Sequence, residues 1–429
     1  MHKIATFRED VTPPMGHPLC AGWYPPVKGI TDLLSARGVI LFGSGAPIVL
    51  CSIDWAEISN YEHFRWRQSI AAAAGTEPDR VAVHCTHPHN TPWPDRDAQN
   101  LLDTAGYPNV IMTGRFCEEA LDRVARAVYL AGRDAKPCTD IAVGQSMVEK
   151  VASNRRIMGT DGRVKAVRWT KTLDVFVRAE PEGTIDPFLK TLSFWNQSEK
   201  LAVLHYYAVH PTSFDGDGLV TPDFTGLARD RLQSEDGGIT HVYFTGCSGN
   251  VTAGKYNDGN PANRLVLTER IYNAMVASEK TARRLPICGW SWRVNNIQLP
   301  HREDLNETDL MSTIRDVQSD IKLRSRAALI LTYLRRKELA IPITCLDLGS
   351  ETFILNLPGE AFVEYQLEAQ AIHPSGWVAC ASYGDLGPGY IPLAQSYLEG
   401  GYEPIDAFVS GASEPILREA IRQVLSLTP

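Results

Sequence analysis

Short apolar runs that end in polar turns recur along this chain, and they constrain its fold more than any other feature. Residues 38–58, GVILFGSGAPIVLCSIDWAEI, predict two strands around a Gly/Ser/Pro turn, and residues 60–75 predict a helix after them. A third strand, RVAVHC, precedes a clear helix at 114–131, so strands and helices alternate. Later strand-like runs are KTLSFWN, LAVLHYYAVH, HVYFTGC and ETFILNLPG. Runs this apolar indicate strands covered on both faces, and they predict an α/β fold of layered mixed β-sheets flanked by helices.

The sequence shows no boundary between domains. Its 429 residues contain no internal repeat and no Pro/Ser/Gly-rich linker, so we expect one composite domain over residues 1–429. Residues 301–340 differ from the rest because they are strongly charged and lack Gly and Pro. This composition predicts a helical pair on the surface, inserted before the last strands.

Composition limits the kind of partner. The chain is 44% hydrophobic and 21% charged, has a net charge of -8 and contains no apolar run long enough for a membrane span, so we expect no membrane insertion. Without a dense Lys/Arg stripe we expect no nucleic-acid binding, and a small-molecule substrate fits better. The nine cysteines are scattered without a CxxC pair, and the polar N-terminus lacks the features of a secretory signal. A cytoplasmic location is therefore expected, whereas no signal for a particular oligomeric state is present.

Three histidines lie close together in VAVHCTHPHNTP, at the end of a predicted strand. In an extended segment the side chains alternate faces, so His87 and His89 should point the same way and His84 the other way. A same-face pair after a buried strand can share a binding site, although surface loop histidines are the alternative. We expect His84 to be structural.

Other predicted strands also deliver polar groups into turns. LHYYAVHPTSFDG places His210 at a strand end, where it could add a neutral imidazole to a metal site or simply cap a turn. FTGCSGNVTAGKY is a Gly-rich turn that could offer backbone N–H groups and the hydroxyl of Ser248 or Thr252, but it is not a GxSxG motif. ILNLPGEAFVEYQLEA predicts Glu360 in the first turn of a helix, where the helix dipole alone would favour it; as a ligand it would complete a His2Glu set.

Taken in order, these segments resemble the catalytic domain of the neutral (alkaline, non-lysosomal) ceramidase family. Eight short motifs are similar to those of the family. In chain order they are REDVTPPMGHPLCAG, HCTHPHNTP, SNRR, YYAVHPTSF, TPDFTGLA, CSGNVTAG, LPGEAF and GYIPLAQSYLEGG. The second resembles the family's THTHSGP, the fourth its FAVHGTS and the seventh its PGEFTT.

The resemblance implies a zinc amidohydrolase with one zinc ion per chain. His87 and His210 would be zinc ligands, with Glu360 and Tyr390 completing the set. A zinc-activated water would attack the amide carbonyl, a chemistry that Zn²⁺ supports near neutral pH.

The resemblance also implies the residues that assist the reaction. His89 and Arg155 would contact the oxygen of the scissile group, and His89 would carry the proton to the leaving amine. Arg155 is preferred over Arg156 because it follows Asn154 as in the family's NRS, although a slip of one residue would exchange them. Thr252 stands where the family has Ser in DVSP, keeps a hydroxyl and is the third expected catalytic residue.

The chain also departs from the family pattern, and these departures bear on the substrate. Asn250 replaces an Asp and Ala253 a Pro, and neither the family's C-terminal domain nor its leader is visible. We therefore expect a small soluble substrate rather than a sphingolipid. Two alternatives stay open: the same metal centre used for ester or lactone hydrolysis, or for elimination or isomerisation on a carbohydrate-like molecule; and a non-catalytic binding protein with the same fold.

Overall fold

The computed structural model describes residues 2–43, 45–336 and 338–426. Within these ranges, the chain forms three larger sheets, several two-stranded pairs and the helices that cover them. The α-helices are Asn60–Ala74, Arg96–Thr104, Gly114–Gly132, Val175–Ala179, Asp223–Glu235, Asn263–Lys280, Glu307–Arg315, Ile321–Arg335, Val363–Ile372, Ser396–Glu399, Glu403–Asp406 and Ser413–Leu425. Short 3-10 turns occupy Cys20–Gly22 and Pro78–Arg80. None of these described helices combines the length and the apolar character needed to cross a bilayer.

Each larger sheet is mixed, with one parallel pair at an edge. The first sheet has the strand order Val81–Cys85, Gly45–Ile53, Ser35–Gly43, Lys3–Asp10, Lys136–Pro137. The second has the order Thr240–Thr245, Glu199–Tyr207, Phe188–Asn196, Asp140–Met147, Arg283–Pro286. The third has the order Ser291–Ile297, Ile341–Asp347, Thr352–Asn356, Trp377–Ala381. The parallel pairs are the first two strands of each of the first two sheets and the last two of the third.

The two-stranded pairs lie in the connections between the larger elements. They are Arg156–Met158 with Val164–Val167, Gly29–Ile30 with Leu219–Val220, Ser153–Asn154 with Val251–Thr252, and Glu360–Ala361 with Tyr390–Ile391. The last pair is parallel and sets Glu360 beside Tyr390.

The strands are covered on both faces, as their apolar sequences predict. Along Gly45–Ile53, Ile48 and Leu50 face a central core that the three sheets share, whereas Val49 and Cys51 face a second core packed with helices. Side chains that alternate with a period of two can fill both cores only if layers lie on both sides of the strand. The expected α/β architecture of layered mixed sheets and helices is therefore confirmed.

Two expectations about local structure are wrong. Two helices do occupy part of residues 301–340, but Ile321–Arg335 is not a surface helix, since its residues from Ala327 to Leu334 are buried in the core. Its continuous apolar run, ALILTYL, is buried all round, and the charged residues lie at its two ends. Glu360 does not lie in a helix: it forms a two-residue strand with Ala361, and the helix begins at Val363. The helix dipole therefore does not explain this carboxylate.

Candidate metal centre and substrate cavity

The three parallel strand pairs place a polar residue after each of their six strands, at one end of the fold. Parallel strands carry their carboxyl ends to the same edge, so the loops that follow them meet there. The first sheet supplies Glu57 and His87, the second His210 and Ser248, and the third Glu360 and Tyr383. Backbone hydrogen bonds tie the three edges together, from Cys85 N to Tyr383 O at 2.9 Å and from Ser382 N to Thr245 O at 2.9 Å.

His87 reaches the site through a left-handed backbone. Its φ of 72° is rare for a residue with a side chain, so the expectation that 84–89 is a continuous extended segment is wrong there. The strand ends at Cys85, and the turn at His87 still brings the rings of His87 and His89 to 5.0 Å from each other. His84, as expected, points elsewhere: it is buried, and its Nδ1 lies 2.7 Å from Ser382 O.

His87 and His210 are held in the same tautomer by backbone carbonyls. Nδ1 of His87 donates to Ala56 O at 2.9 Å, and Nδ1 of His210 donates to Ser248 O at 3.0 Å. A carbonyl can only accept, so each Nδ1 carries the hydrogen. Burial lowers the pKa of both imidazoles well below the usual value, which keeps them neutral. Each Nε2 is therefore left with a lone pair.

These lone pairs converge with a carboxylate oxygen. His87 Nε2 and His210 Nε2 lie 3.0 Å apart, and Glu360 Oε2 lies 3.6 Å from the first and 3.2 Å from the second. Glu360 is 6% exposed, and its Oε2 has no hydrogen-bond partner among the described residues. Electron-rich atoms packed this closely out of water repel one another unless a cation lies between them. Two imidazoles and one carboxylate are the donor set that Zn²⁺ takes in hydrolases.

A second histidine cluster in the fold lacks this property. His205 Nε2 lies 2.9 Å from His241 Nδ1, and His241 Nε2 lies 3.1 Å from Asp236 Oδ2. At the other end of the chain of contacts, His205 Nδ1 lies 2.9 Å from the hydroxyl of Thr191. Hydrogens can be assigned in one direction along this chain so that every ring nitrogen is satisfied. Proximity of histidines alone does not mark a metal site here; converging lone pairs do.

Glu57 is a second buried carboxylate beside the first. Its Oε1 lies 3.4 Å from His87 Nδ1, and ligand atoms of Glu57, His87 and Glu360 lie within 4.8 Å of one another. Burial raises the pKa of Glu57 well above its ordinary value, and the charge of Glu360 raises it further. Its Oε2 is buried without a hydrogen-bond partner in the part of the chain that the structure describes.

His89 is held by an acidic residue that also lines the cavity. Its Nδ1 lies 3.0 Å from Asp215 Oδ2, and Tyr24 donates its hydroxyl to the same oxygen at 2.8 Å. Burial alone would raise the pKa of Asp215, but the hydrogen bond and charge of His89 hold it below the ordinary value. This contact leaves Nε2 of His89 as the free ring nitrogen, close enough to His87 and His210 for all three to be possible ligands.

Arg155 lies in the site, whereas Arg156 lies in an ion pair beside it. Arg155 is 3% exposed, donates to the hydroxyl of Tyr390 at 3.2 Å and stacks over Tyr402 at 5.2 Å. Its Nε and Nη2 have no hydrogen-bond partner within the described ranges, so two donors are available to a ligand. Arg156 instead pairs with Glu403 at 2.9 Å and with Glu399 at 3.0 Å.

Of two other predicted residues, Tyr390 lines the cavity and Thr252 does not. Tyr390 lies beside Glu360 and lines the cavity, with its hydroxyl 3.0 Å from that of Tyr402. Thr252 is buried on a short strand, where its hydroxyl accepts a hydrogen bond from Gly254 N at 3.0 Å. Its strand pairs with Ser153–Asn154, next to Arg155, but Thr252 is not among the described residues that line the cavity.

A cavity of about 530 Å³ opens onto these groups. Its inner end is buried around His87, Glu57 and Arg155, whereas Trp169 and Lys171 lie at its exposed mouth. Aromatic rings form much of the wall, and this set comprises Trp23, Tyr24, Trp93, Trp169, Tyr390, Tyr402 and Phe408. The volume is that of a pocket for a small molecule.

Sequence reasoning missed several of these residues. Glu57 carried a usable signal, since it is a carboxylate just after a strand that is otherwise apolar. Asp215 lies in the turn that follows His210, but no local pattern links it to His89, which is 126 positions away. Tyr383 and Tyr402 lie in residues 382–404, SYGDLGPGYIPLAQSYLEGGYEP, which are rich in Gly, Pro and Tyr, and tyrosines in such a stretch could equally be packing residues.

Comparison with known proteins gives matches in structure alone. No protein-family model matches the sequence, and no curated protein matches it significantly. The fold is similar to a crystal structure of neutral ceramidase from Pseudomonas aeruginosa, with a TM-score of 0.71 and 16% identity over 99% of this chain and 74% of that chain. It is also similar to a structure described as a ceramidase complexed with C2, with a TM-score of 0.72 and 14% identity over the same shares. The expected ceramidase-like fold is confirmed.

Proposed function

We propose that this protein is a metal-dependent hydrolase that cleaves an amide bond in a small molecule. The observation that carries the proposal is the convergence of His87 Nε2, His210 Nε2 and Glu360 Oε2, because His87 and Glu360 also line the inner end of a cavity. The ceramidase-like fold supports an amide as the scissile group, because both similar structures are ceramidases.

The residues present fit a divalent cation. Glu360 supplies an unpartnered buried oxygen, and the two imidazoles are neutral with their lone pairs facing it. Tyr390, next to Glu360, is proposed as a further ligand. We propose Zn²⁺ because mixed nitrogen and oxygen donors suit it. When bound, such a cation lowers the pKa of a water molecule to about 7 and polarises a carbonyl.

Arg155 is proposed to bind the oxygen of the scissile group. Its two unpartnered nitrogens, Nε and Nη2, lie in a buried site, where a hydrogen bond to developing negative charge is stronger than in water. The hydrogen bond to Tyr390 and the ring of Tyr402 hold the guanidinium in place. The donors are therefore oriented before the substrate arrives, which lowers the cost of reorganisation.

His89 is proposed to move the proton to the leaving amine. Asp215 accepts a hydrogen bond from Nδ1, so the tautomer with a free Nε2 is favoured. The aspartate also stabilises the ring when it becomes protonated. An imidazole held in this way can accept a proton at Nε2 and donate it later, as amide cleavage requires.

The cavity supports a substrate with an apolar part and a polar part. The aromatic walls suit an acyl or aryl group, whereas Lys171 and the ion pair of Arg326 with Asp406 at 3.2 Å offer polar contacts. We propose N-acyl amides short enough to fill about 530 Å³.

A substrate panel tests the proposed reaction. Zinc-loaded protein is incubated with N-acyl amides of increasing chain length and with esters and lactones that carry the same acyl groups. The proposal predicts release of amine from at least one amide, abolished by His87→Ala. Turnover of esters or lactones alone would reject amide cleavage, and binding without turnover of any compound would favour a non-catalytic protein.

A further inference from the structure

Two buried carboxylates, Glu57 and Glu360, line the inner end of the cavity within reach of each other. One ligand atom from each of Glu57, Glu360 and His87 lies within 4.8 Å of the other two. Glu57 is 2% exposed and Glu360 is 6% exposed, so water does not screen them well. One oxygen of each, Oε2 in both cases, has no hydrogen-bond partner among the described residues.

A single cation held by His87, His210 and Glu360 leaves Glu57 without a partner. Glu57 Oε1 lies 3.4 Å from His87 Nδ1, but that nitrogen already donates to Ala56 O at 2.9 Å. Arg155 also lines the inner end of the cavity, but its hydrogen bond goes to Tyr390, and no hydrogen bond or ion pair joins it to Glu57 among the described residues. Glu57 Oε2 thus remains an unsatisfied acceptor in a buried site.

We propose that Glu57 and Glu360 together bind a second divalent cation, so that the cavity holds a two-metal centre with Glu360 shared between the two ions. The inference rests on the proposed function for the first cation. His87 belongs to the first position only, because its Nδ1 is occupied by Ala56 O. The second position is therefore bounded by carboxylate oxygens, with water or substrate completing the coordination.

Carboxylate oxygens favour a different class of ion from imidazoles. Mg²⁺ and Mn²⁺ prefer oxygen donors and commonly bind through one or two carboxylates plus water. The second position should accordingly accept Mn²⁺ or Mg²⁺, or a second Zn²⁺. In two-metal hydrolases such an ion assists the first by stabilising the attacking and leaving groups.

Metal stoichiometry tests this inference without measuring activity. Chelator-treated protein is loaded with Mn²⁺, freed of unbound ion and analysed for metal content and by electron paramagnetic resonance. We expect two ions per chain and the signal of a magnetically coupled pair. Glu57→Gln, which keeps the side-chain volume and removes the charge, should retain one ion and lose the coupling. Asp406→Asn is the matched control, since it removes a carboxylate from the same cavity outside the pair, and it should retain both ions.

The outcomes separate the inference from the proposed function. One ion per chain in the wild-type protein, or an unchanged coupled signal in Glu57→Gln, would overturn the two-metal centre. If the protein hydrolyses an amide with a single ion bound, the proposed function stands and the inference fails. If two coupled ions bind but no amide is cleaved, the inference stands and the proposed function fails.

Discussion

The Nε2 atoms of His87 and His210 face each other at 3.0 Å, although neither ring has a hydrogen to place between them. Each ring donates its Nδ1 hydrogen to a backbone carbonyl, of Ala56 in one case and of Ser248 in the other. The arrangement is stable only when a positive charge lies between the lone pairs.

Removing either imidazole should abolish metal binding. We expect His87→Ala and His210→Ala each to lower zinc content below about one tenth of the wild-type value, because a catalytic zinc site needs three protein ligands. His89→Ala should retain zinc and lose rate if its role is proton transfer. Measurement of zinc after gel filtration checks both statements. Loss of zinc from His89→Ala would instead show that His89 is a third imidazole ligand.

Asp215→Asn should slow turnover without weakening substrate binding. Asn cannot hold His89 in the same charged pair, so we expect kcat to fall about 10- to 100-fold while KM changes little. Steady-state kinetics on the amide identified by the panel provides the measurement. Asp217→Asn is the control, since its carboxylate accepts from Asn90 and not from His89. An equal loss of kcat in both variants would mean that the substitutions disturb the loop of residues 215–217, and that the contact with His89 is not the cause.

The adjacent arginines should behave differently. We expect Arg155→Ala to lower kcat/KM about 100- to 1,000-fold, as loss of an oxyanion donor does, with little change in Tm. Arg156→Ala should leave Glu403 buried and unpaired, at a cost of about 3 to 5 kcal/mol, and should chiefly lower Tm. Kinetics and thermal unfolding of both variants are needed. The reverse pattern would support the slip of one residue in the motif.

Thr252→Val should affect stability rather than catalysis. Its hydroxyl accepts from Gly254 N, so the variant loses one buried hydrogen bond, worth about 1 kcal/mol, and kcat should stay within about twofold. Thr252→Ser keeps the hydroxyl and should resemble the wild-type protein in both properties. A large loss of kcat in Thr252→Val alone would restore its predicted catalytic role.

Stability should fall between pH 6.5 and pH 4. Burial lowers the pKa of His17, His63 and His84 from 6.5 to about 4, so these rings bind protons more readily in the unfolded chain. Above pH 6.5 these rings are neutral in both states and cost no stability. As the pH falls from 6.5 towards 4, protonation of the unfolded chain lowers the free energy of unfolding by about 3 kcal/mol for each ring.

Chemical denaturation at pH 6.5 and pH 5 measures this slope. His84→Gln should be less stable overall but show a shallower slope, because one titrating ring is gone. His301→Gln, at an exposed position, should leave the slope unchanged. A free energy of unfolding that does not vary over this range would contradict the prediction.

The fold class and several site residues could be predicted because they depend on local patterns. Apolar runs such as VAVHC predict buried strands, and a polar residue just after such a run predicts a group displayed at a sheet edge. His87 and His210 were predicted in this way, whereas Glu360 was expected in the first turn of a helix and joined the ligand set chiefly through the resemblance to ceramidases. Their meeting point could not be derived from spacing, because it depends on which strands pair in parallel.

The features that could not be predicted from the sequence depend on contacts between residues distant in the chain. The helix of residues 321–335 has charged ends, and only its packing against the core shows that its middle is buried. Asp215 and Tyr24 reach His89 from separate loops, and no periodicity signals that contact. The left-handed turn at His87 is likewise invisible in the sequence, because a non-glycine residue rarely adopts it.

Anomalous diffraction at the zinc edge would locate the proposed cation directly. Crystals grown with Zn²⁺ should show a strong peak between His87 Nε2, His210 Nε2 and Glu360, and none at the cluster of His205 and His241, whose ring nitrogens are satisfied by hydrogen bonds. A second peak beside Glu57 would add to this result without altering it. No peak between His87 and His210, or a peak at His205 and His241 instead, would contradict the account.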